Sequence, residues 1–390
     1  MRNLIITTDK DKWVSFLIRV NWLIAVAYYI AVPIIHNASV TQAITAVGCL
    51  FSTFVWLFSM RQMYVADMLA FFVCASVLII KAIFGQSYTT VNGLYSILAF
   101  INVLGLFVTY KNITIQKKDF DFIYRISVCL TLLFFVLSFT GVAYKMETSE
   151  GIRYLNALVL NLNNPNAAAM HFYGLLCIIM INLKRQKHLW FNITLCAVLV
   201  YLIMRTQCRS CIIASVVLIV YYVWFRNRTI PKVVVGFAVL LPIFILILYM
   251  ALYRSGFHDV VFLENKTLFS GRQTIYMRVF SLINTPFTVM FGPVFKEYFF
   301  NAHNAFLSVF ASVGIVGTIP YFYFLVRSML DIRKYSNVAT MCFIGLCVQA
   351  CAEAAMFVGN FPFHMFLLLF LVLGRYRDDE SDDHRLEAAE

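Results

Sequence analysis

The sequence predicts an all-α, polytopic integral membrane protein of about 12 transmembrane helices with a large extracytoplasmic loop that itself contains helices. Of the 390 residues, 62% are hydrophobic and only 13% are charged, whereas soluble proteins average about 45–50% apolar and about 25% charged residues. The apolar residues fall into windows close to the roughly 20 residues that a membrane-spanning helix needs. This composition excludes a water-soluble enzyme.

Long apolar windows without a central charge predict twelve spans, at 14–34, 41–60, 64–84, 90–110, 122–144, 166–182, 188–205, 211–225, 231–252, 304–327, 336–358 and 362–374. We therefore divide the chain into helices 1–9 in residues 1–252, an extracytoplasmic loop at 253–303, helices 10–12 in 304–374 and a cytoplasmic acidic tail at 375–390. The end of the tail could be an artificial extension. The first window is followed by no small-residue cleavage site, so a span is expected there rather than a signal peptide.

The Lys and Arg residues predict the orientation. Most of them lie on one side of the predicted spans: at the N-terminus, in alternate connections and after the last window. The positive-inside rule assigns this side to the cytoplasm. Both termini are therefore predicted to be cytoplasmic. Other cations fall on the predicted outer side, against this rule: Lys145, Arg153, Arg205, Arg209, Arg254, Lys266, Arg272, Arg278 and Lys296. They indicate a functional site at the outer face, where the longer loops are 145–165 and 253–303.

Two of the ten cysteines stand out by their spacing. Cys208 and Cys211 form a C-x-x-C element, which is typical of redox or metal motifs, although no second Cys or His pair stands near it. The other eight lie in apolar windows, where a free thiol behaves as a small hydrophobic group. For this pair, the sequence is compatible both with two free thiols and with a disulfide at the outer face.

The S-G-R-Q segment at 270–273 has the pattern of a capping box, with Ser270 as N-cap. A helix is expected to begin at the glycine, which places Arg272 in the first turn. A cation is unfavourable there, because the helix dipole and the free N–H groups already carry positive charge and attract anions. Arg272 therefore indicates either an anionic ligand or an ion pair with Glu264 or Asp259.

His303 lies at the predicted outer membrane boundary, directly before the apolar helix that follows Asn304. With Asn301 as N-cap, the imidazole would lie near the positive end of the helix dipole and is expected to stay neutral, as a general base requires. The alternative is an ordinary hydrogen-bonding residue at the interface.

Asn304 is followed after nine residues by Gly314, which gives the element H-N-x9-G-x-x-G. This element resembles the signature of the O-antigen ligase and O-antigen polymerase superfamily. The order of the motifs and the long loop before His303 are also similar to the family. The resemblance extends to three shorter elements, which are S-G-R-Q at 270–273, Arg209-Ser210 at the outer end of a span and N-N-P-N at 163–166.

The resemblance implies a glycosyltransferase of the bacterial cytoplasmic (inner) membrane that polymerises undecaprenyl-diphosphate-linked oligosaccharide repeat units of O-antigen, capsule or exopolysaccharide. In the implied inverting reaction His303 is the general base on the acceptor hydroxyl, while Arg272 and Arg209 stabilise the leaving diphosphate. Arg205, one helical turn from Arg209, could replace it. Further candidates for substrate contact are Arg278, Asn304, Asn166 and Lys81.

The implied partners are the lipid-linked donor, a glycan acceptor and membrane lipids, and they would extend to a flippase and a chain-length regulator. Nucleic acid, cofactors and metals are not expected. The D-x-D element at Asp119 and Asp121 falls on the predicted cytoplasmic side, where a solvated helix start is the simpler interpretation.

Several ionisable residues lie inside apolar windows. Asp67 and Lys81 are about 21 Å apart along one helix, so each needs another partner. Lys81 could reach the diphosphate or extend to the interface. Glu353 could contact another helix or the acceptor sugar, and His171 is expected to pack between helices.

Two alternatives remain open. A ligase that transfers a finished glycan to lipid A core or to protein would need the same donor and the same base. A flippase or transporter would need polar groups at mid-membrane and matching broken spans in both halves, whereas the polar residues here concentrate at one face.

Overall fold

The computed structural model describes residues 9–35, 37–61, 63–84, 91–140, 143–148, 151–162, 164–183, 189–225, 228–256, 261–263, 266–267, 271–293, 302–354 and 361–375. These residues are almost entirely helical, and each of the twelve predicted windows contains one apolar helix. Seven of the described helices are long and apolar enough to cross a membrane, and five apolar helices are shorter. The chain therefore has the architecture of a helical membrane protein.

The helices are α1 (Asp9–Ile35), α2 (Ala38–Phe58), α3 (Val65–Phe84), α4 (Val91–Thr109), α5 (Lys117–Phe139), α6 (Pro165–Asn182), α7 (Leu189–Arg205), α8 (Arg209–Phe225), α9 (Lys232–Arg254), α10 (Arg272–Leu282), α11 (Pro286–Phe291), α12 (Ala305–Ile332), α13 (Asn337–Ala350) and α14 (Phe361–Leu373).

Two short hairpins depart from the all-α expectation. Between α5 and α6, strands β1 (Ala143–Thr148) and β2 (Gly151–Leu158) pair antiparallel with an irregular register. Between α9 and α12, β3 (Val261–Leu263) pairs with β4 (Lys266–Thr267). The segment predicted as a large outer loop thus contains α10, α11 and a hairpin, and its position outside the membrane stays a prediction.

The centre of the bundle is formed by α6 and α14. Every residue of α14 is buried, and α6 is 94% buried over its most apolar stretch. A helix that is apolar on all sides is stable inside a protein core or within the membrane, and the burial of α6 and α14 shows that other helices surround them here. His171 of α6 lies in this core, where it hydrogen-bonds with the Tyr29 hydroxyl and stacks on Phe363, so its predicted packing role is confirmed.

Helix α3 is joined to α12 at both of its ends by charged groups. Asp67 pairs with Arg327, and the Lys81 ammonium donates hydrogen bonds of 2.6 Å to the carbonyls of Ala311 and Ser312. The expectation that Asp67 and Lys81 need separate partners is confirmed. The suggestion that Lys81 extends to the interface is wrong, because its side chain is buried against α12, and its contact with substrate stays a prediction.

The carbonyls that bind Lys81 lie just before a break in α12. Gly314 has φ 60° and ψ −168°, which is not helical, and this region is accessible essentially only to glycine. A Cβ at Gly314 would lie 2.2 Å from the Met290 carbonyl oxygen of α11. The first glycine of the G-x-x-G element therefore permits both the break and the close approach of α11, while Lys81 supplies donors at the end of a helical segment, where carbonyls lack partners.

The D-x-D element begins α5 at the opposite end of the bundle from the site described below. Asp119 accepts a 2.6 Å hydrogen bond from the Ser15 hydroxyl and forms an ion pair of 3.0 Å with Arg19 of α1. It also closes a capping box with Gln116. The predicted helix start is confirmed, but the prediction of a solvated Asp119 is wrong, because α1 packs over this helix end and buries it.

Helix α13 is shorter than the predicted window 336–358. It ends at Ala350, and Cys351 and Ala352 form a turn. The Cys351 carbonyl, just beyond the helix end, accepts a hydrogen bond from the Asn304 side chain. Glu353 consequently lies outside the helix, in the connection towards α14.

Candidate functional site

The buried carboxylate of Glu353 brings together three of the residues that the sequence singled out. The Asn166 amide donates to Oε1 at 2.7 Å, Arg272 donates to the same oxygen at 3.3 Å, and His303 Nδ1 lies 3.1 Å from Oε2. We call Asn166, Arg272, His303 and Glu353 the Glu353 cluster. Its members come from four distant parts of the chain, so only the tertiary fold assembles it.

Asn166 is positioned by the first turn of α6. The Asn164 side chain accepts a hydrogen bond from the Ala167 backbone N–H, and Pro165 occupies the first helical position, where its missing N–H costs nothing. This arrangement explains the order of residues in the N-N-P-N element. It leaves the next side chain, Asn166, directed at Glu353.

Arg272 is the first residue of α10, as its predicted place in the first turn requires. The predicted capping box is wrong: Gly271 is the N-cap, with a left-handed φ of 77° and no side-chain cap bond, and Ser270 lies outside the described residues. The possible partners Glu264 and Asp259 also lie outside them, and the observed partner is Glu353. The Arg272 side chain is 15% exposed, so the ion pair is largely shielded from solvent.

His303 stands directly before the N-cap of α12. The cap is Asn304, because its side-chain oxygen Oδ1 accepts a hydrogen bond from the Leu307 N–H at 3.0 Å; Asn301 lies outside the described residues. The Asn304 amide also donates to the carbonyls of Pro242 and Cys351, which ties α9, α12 and α13 together. Asn304 is fully buried and holds His303 in place, whereas His303 adopts φ 51° and keeps its side chain 31% exposed.

The N-terminus of α8 lies beside the cluster. Cys211 accepts a 2.6 Å hydrogen bond from Gln349, which is one helical turn before Glu353, and Arg209 is the first residue of α8. Arg205 lies elsewhere, since it is exposed on α7 and donates to the Tyr201 hydroxyl at 2.8 Å. Of the two candidate arginines, the structure thus places Arg209 on the element next to Glu353.

Four helices therefore begin around one point, namely α6, α8, α10 and α12. Each N-terminus contributes free backbone N–H groups and the positive end of a helix dipole, which together favour anions. Arg272 adds a formal charge, and Arg209 adds a second on the neighbouring turn. These helix ends and arginines are suited to an anionic ligand with more negative charge than the single carboxylate of Glu353, which they already surround.

The electrostatics of Glu353 follow from this setting. Burial alone would raise its pKa, but the hydrogen bond and charge of His303 and the charge of Arg272 outweigh burial and hold the pKa below its usual value. Glu353 is therefore ionised at neutral pH and can only accept hydrogen bonds. Nδ1 of His303 is then the donor of this hydrogen bond, and Nε2 is the ring nitrogen that Glu353 does not engage.

The cluster is recessed below the tip of α9. Asn304 binds the carbonyl of Pro242, and the 12 residues of α9 beyond Pro242 extend about 18 Å further. Helix α13 reaches the cluster with 14 residues, a length of about 21 Å, which is shorter than the roughly 30 Å of a bilayer core.

The remaining candidates do not join the cluster. Arg278 is exposed on α10, and Lys81 binds the break in α12. The residue that the sequence undervalued is Glu353. Its signal was a single carboxylate flanked by alanines at the outer end of an apolar window, a placement that is costly without a partner and therefore indicates function.

No family model, curated protein or solved structure matches this chain significantly. The resemblance to the O-antigen ligase and polymerase superfamily therefore rests on the motifs alone. Within the described ranges, His, Cys, Asp and Glu side chains do not gather in groups of three that could hold a metal ion, and the metal-free reaction stays a prediction.

Proposed function

We propose that this protein is an integral-membrane glycosyltransferase that polymerises glycan repeat units carried on a polyprenyl diphosphate, of which undecaprenyl diphosphate is the bacterial form. The observation that carries the proposal is the Glu353 cluster, which combines a histidine base, an arginine and the N-termini of several helices in one recess. The reaction joins the anomeric carbon of the donor glycan to an acceptor hydroxyl and releases polyprenyl diphosphate.

His303 acts as the general base in this proposal. With Nδ1 hydrogen-bonded to Glu353, Nε2 takes the proton of the acceptor hydroxyl as that oxygen attacks the anomeric carbon. Attack from the face opposite the diphosphate inverts the anomeric configuration. Glu353 positions the imidazole and stabilises the imidazolium that forms, and its own pKa keeps it ionised during the reaction.

Arg272 and Arg209 stabilise the departing diphosphate. Negative charge grows on the leaving oxygen as the glycosidic bond breaks, and preorganised donors are most effective where charge develops. Both arginines stand at helix N-termini, whose backbone N–H groups add to the same effect. Asn166 binds Glu353 at its other side and keeps the carboxylate oriented between the arginine and the histidine.

The recessed position supports a lipid-borne donor. A soluble nucleotide sugar has no need of a site below the ends of the apolar helices, whereas a polyprenyl carrier is anchored in the bilayer and brings its diphosphate to the protein at the level of the membrane. In the complete arrangement that we propose, the twelve apolar helices all cross the cytoplasmic membrane, both termini are cytoplasmic, and the cluster faces outward. The cationic connections at the opposite end motivate this orientation.

A flippase is less well supported by the described residues. Below the cluster, α6 and α14 fill the centre of the bundle with mainly apolar side chains. The histidines among them are bound to other helices, because His171 hydrogen-bonds with Tyr29 and His364 with Ser52. A transporter needs polar groups that line a path through the middle of the membrane, whereas the charged carboxylate of Asp119 at the opposite end is paired with Arg19.

Complementation tests this proposal. In a strain that lacks the gene, His303→Ala and Arg272→Ala, each expressed at the wild-type level, should fail to restore the long polysaccharide, while Arg278→Ala on the exposed side of α10 should restore it. Full-length polysaccharide from His303→Ala or Arg272→Ala would refute the assigned roles. Polymer joined to lipid A core or to protein by the wild-type protein, without growth in repeat number, would identify a ligase instead.

The expectation of a metal-free reaction has its own test. Transfer by the purified protein should persist in the presence of a chelator, because the arginines and helix N-termini carry the stabilisation of the diphosphate. Loss of transfer on chelation and its return with magnesium would overturn this part of the proposal.

A further inference from the structure

The C-x-x-C element lies at the N-terminus of α8, in a geometry that the proposed reaction does not use. Cys208 directly precedes the helix, and its carbonyl accepts the hydrogen bond of the Ile212 N–H. Cys211 lies in the first turn. The two positions are three residues apart, so that their Cα atoms fall within the range of about 4.4–6.8 Å that a disulfide spans.

The two thiols influence each other at the start of α8. Cys211 donates a hydrogen bond to the sulfur of Cys208, which lowers the pKa of the Cys208 thiol, while burial acts in the opposite direction. Both residues are buried, with Cys208 2% and Cys211 0% exposed. A thiol at a helix N-terminus that receives a hydrogen bond is the more reactive member of such a pair.

The surroundings of this pair link it to the Glu353 cluster. Gln349 of α13 donates to the sulfur of Cys211, and the Glu353 charge acts on both thiols. The two residues enclosed by the pair are Arg209 and Ser210. A bond between the sulfurs would close a ring around the backbone of Arg209.

We propose that Cys208 and Cys211 form an intramolecular disulfide that fixes the first turn of α8, and with it Arg209, beside the Glu353 cluster. The proposal requires the outward orientation given above, because disulfides persist in extracytoplasmic compartments and are rare in the cytosol. It does not require glycan transfer.

The disulfide forms by exchange with an organic disulfide, such as the active-site disulfide of a thiol oxidoreductase. The Cys208 thiolate attacks one sulfur of the oxidant and displaces a thiolate, which gives a mixed disulfide. The Cys211 thiolate then attacks the Cys208 sulfur and displaces the second thiolate of the oxidant. The two cysteine protons pass to the two leaving thiolates, so that the oxidant becomes a dithiol. Because both sulfurs are buried in the folded protein, this exchange takes place before α8 packs against α13.

A thiol trap on protein from native membranes tests the proposal. Cells are quenched with acid, the protein is unfolded in the presence of N-ethylmaleimide, and chymotryptic peptides are analysed by mass spectrometry, because trypsin would cut at Arg209. We expect the peptide with Cys208 and Cys211 to lack maleimide, to weigh two hydrogens less than the dithiol, and to take up two maleimides after reduction. The other eight cysteines should carry maleimide without reduction, which shows that the reagent reaches free thiols throughout the unfolded protein.

Cys211→Ser provides the matched variant, in which Cys208 should carry maleimide without reduction. Wild-type protein with maleimide on both Cys208 and Cys211 before reduction would overturn the proposal, and so would a bond from either residue to a different cysteine. A second readout is thermal unfolding of the purified protein, whose midpoint should fall on reduction in the wild type but not in the Cys208→Ser/Cys211→Ser double variant. An equal fall in both would also contradict it. Loss of glycan transfer leaves these results unchanged, so this proposal and the proposed function fail separately.

Discussion

His303 and Glu353 are 50 residues apart in the sequence, and Nδ1 of the imidazole lies 3.1 Å from Oε2 of the carboxylate. Because Glu353 is also held by Asn166 and Arg272, its orientation is fixed independently of the histidine. The carboxylate thus determines which ring nitrogen of His303 carries the proton. A positioned imidazole of this kind is the central element of the proposed reaction.

Glu353→Gln should lower the rate of transfer by about 100-fold or more, within the range that a correctly placed general base contributes. A neutral amide can donate as well as accept, so it no longer selects the tautomer or stabilises the imidazolium. Glu353→Asp, which keeps the charge, should retain part of the activity, and the pH dependence of the rate should differ between the two variants. Wild-type rates in Glu353→Gln at every pH would remove Glu353 from the mechanism.

The pH dependence of stability follows from the lowered pKa of Glu353. A carboxyl group whose folded pKa lies below its unfolded value stabilises the fold above the unfolded pKa, and this contribution disappears as the pH falls through the folded pKa. The unfolding midpoint of the wild type should therefore fall on acidification below about pH 4.3, the ordinary Glu pKa, more steeply than that of Glu353→Gln. The midpoints are measured by thermal unfolding in nanodiscs. The same dependence of the midpoint on pH in the wild type and in Glu353→Gln would contradict the lowered pKa of Glu353.

Arg209 and Arg205 are separated by a single turn between α7 and α8, but only Arg209 lies on the element beside Glu353. Arg209→Ala should abolish most transfer, and Arg209→Lys should restore it only in part, because an ammonium lacks the planar fork that suits phosphate. Arg205→Ala, which removes the exposed contact with Tyr201, should leave the rate unchanged. A larger loss of transfer in Arg205→Ala than in Arg209→Ala would assign the contact with the diphosphate to Arg205 instead.

Gly314 provides a test of the break in α12. Gly314→Ala should destabilise the protein by about 3 kcal/mol or more, because alanine is strained at this φ and ψ and its Cβ would overlap backbone atoms of α11. The matched control is Gly236→Ala in α9, where nothing lies within 4 Å of the added Cβ and alanine should gain about 0.5–1 kcal/mol. Comparable unfolding midpoints for the two variants would show that Gly314 is not constrained.

Local patterns in the sequence predicted much of this architecture. Apolar windows located the twelve apolar helices among the described residues, because a membrane-facing or core helix needs a continuous apolar run that is visible without tertiary information. The end of α13 was predicted too late, since Ala352 and Ala354 resemble helix residues. The contact that Cys351 makes with the Asn304 side chain at this helix end comes from the start of α12 and is not visible in the local sequence.

Local patterns in the sequence also predicted part of the site. Asn166, Arg272 and His303 could be singled out because each stands next to a local signal, namely a helix start or a motif. Their common partner Glu353 has no such signal and is defined only by contacts across four elements. Lys81 was misjudged because its position near a helix end resembles an interfacial lysine, whereas its partners are carbonyls exposed by the break at Gly314.

The central claim is most directly tested by transfer in a defined system. Wild-type protein and His303→Ala, each shown by its unfolding midpoint to be folded in nanodiscs, would be given a synthetic polyprenyl-diphosphate oligosaccharide, and products would be separated by chain length. We expect the wild type to release polyprenyl diphosphate and to form longer glycans with inverted anomeric linkages, and His303→Ala to form fewer of them by at least about 100-fold. Equal product from His303→Ala, or retained anomeric configuration in the wild-type product, would contradict it.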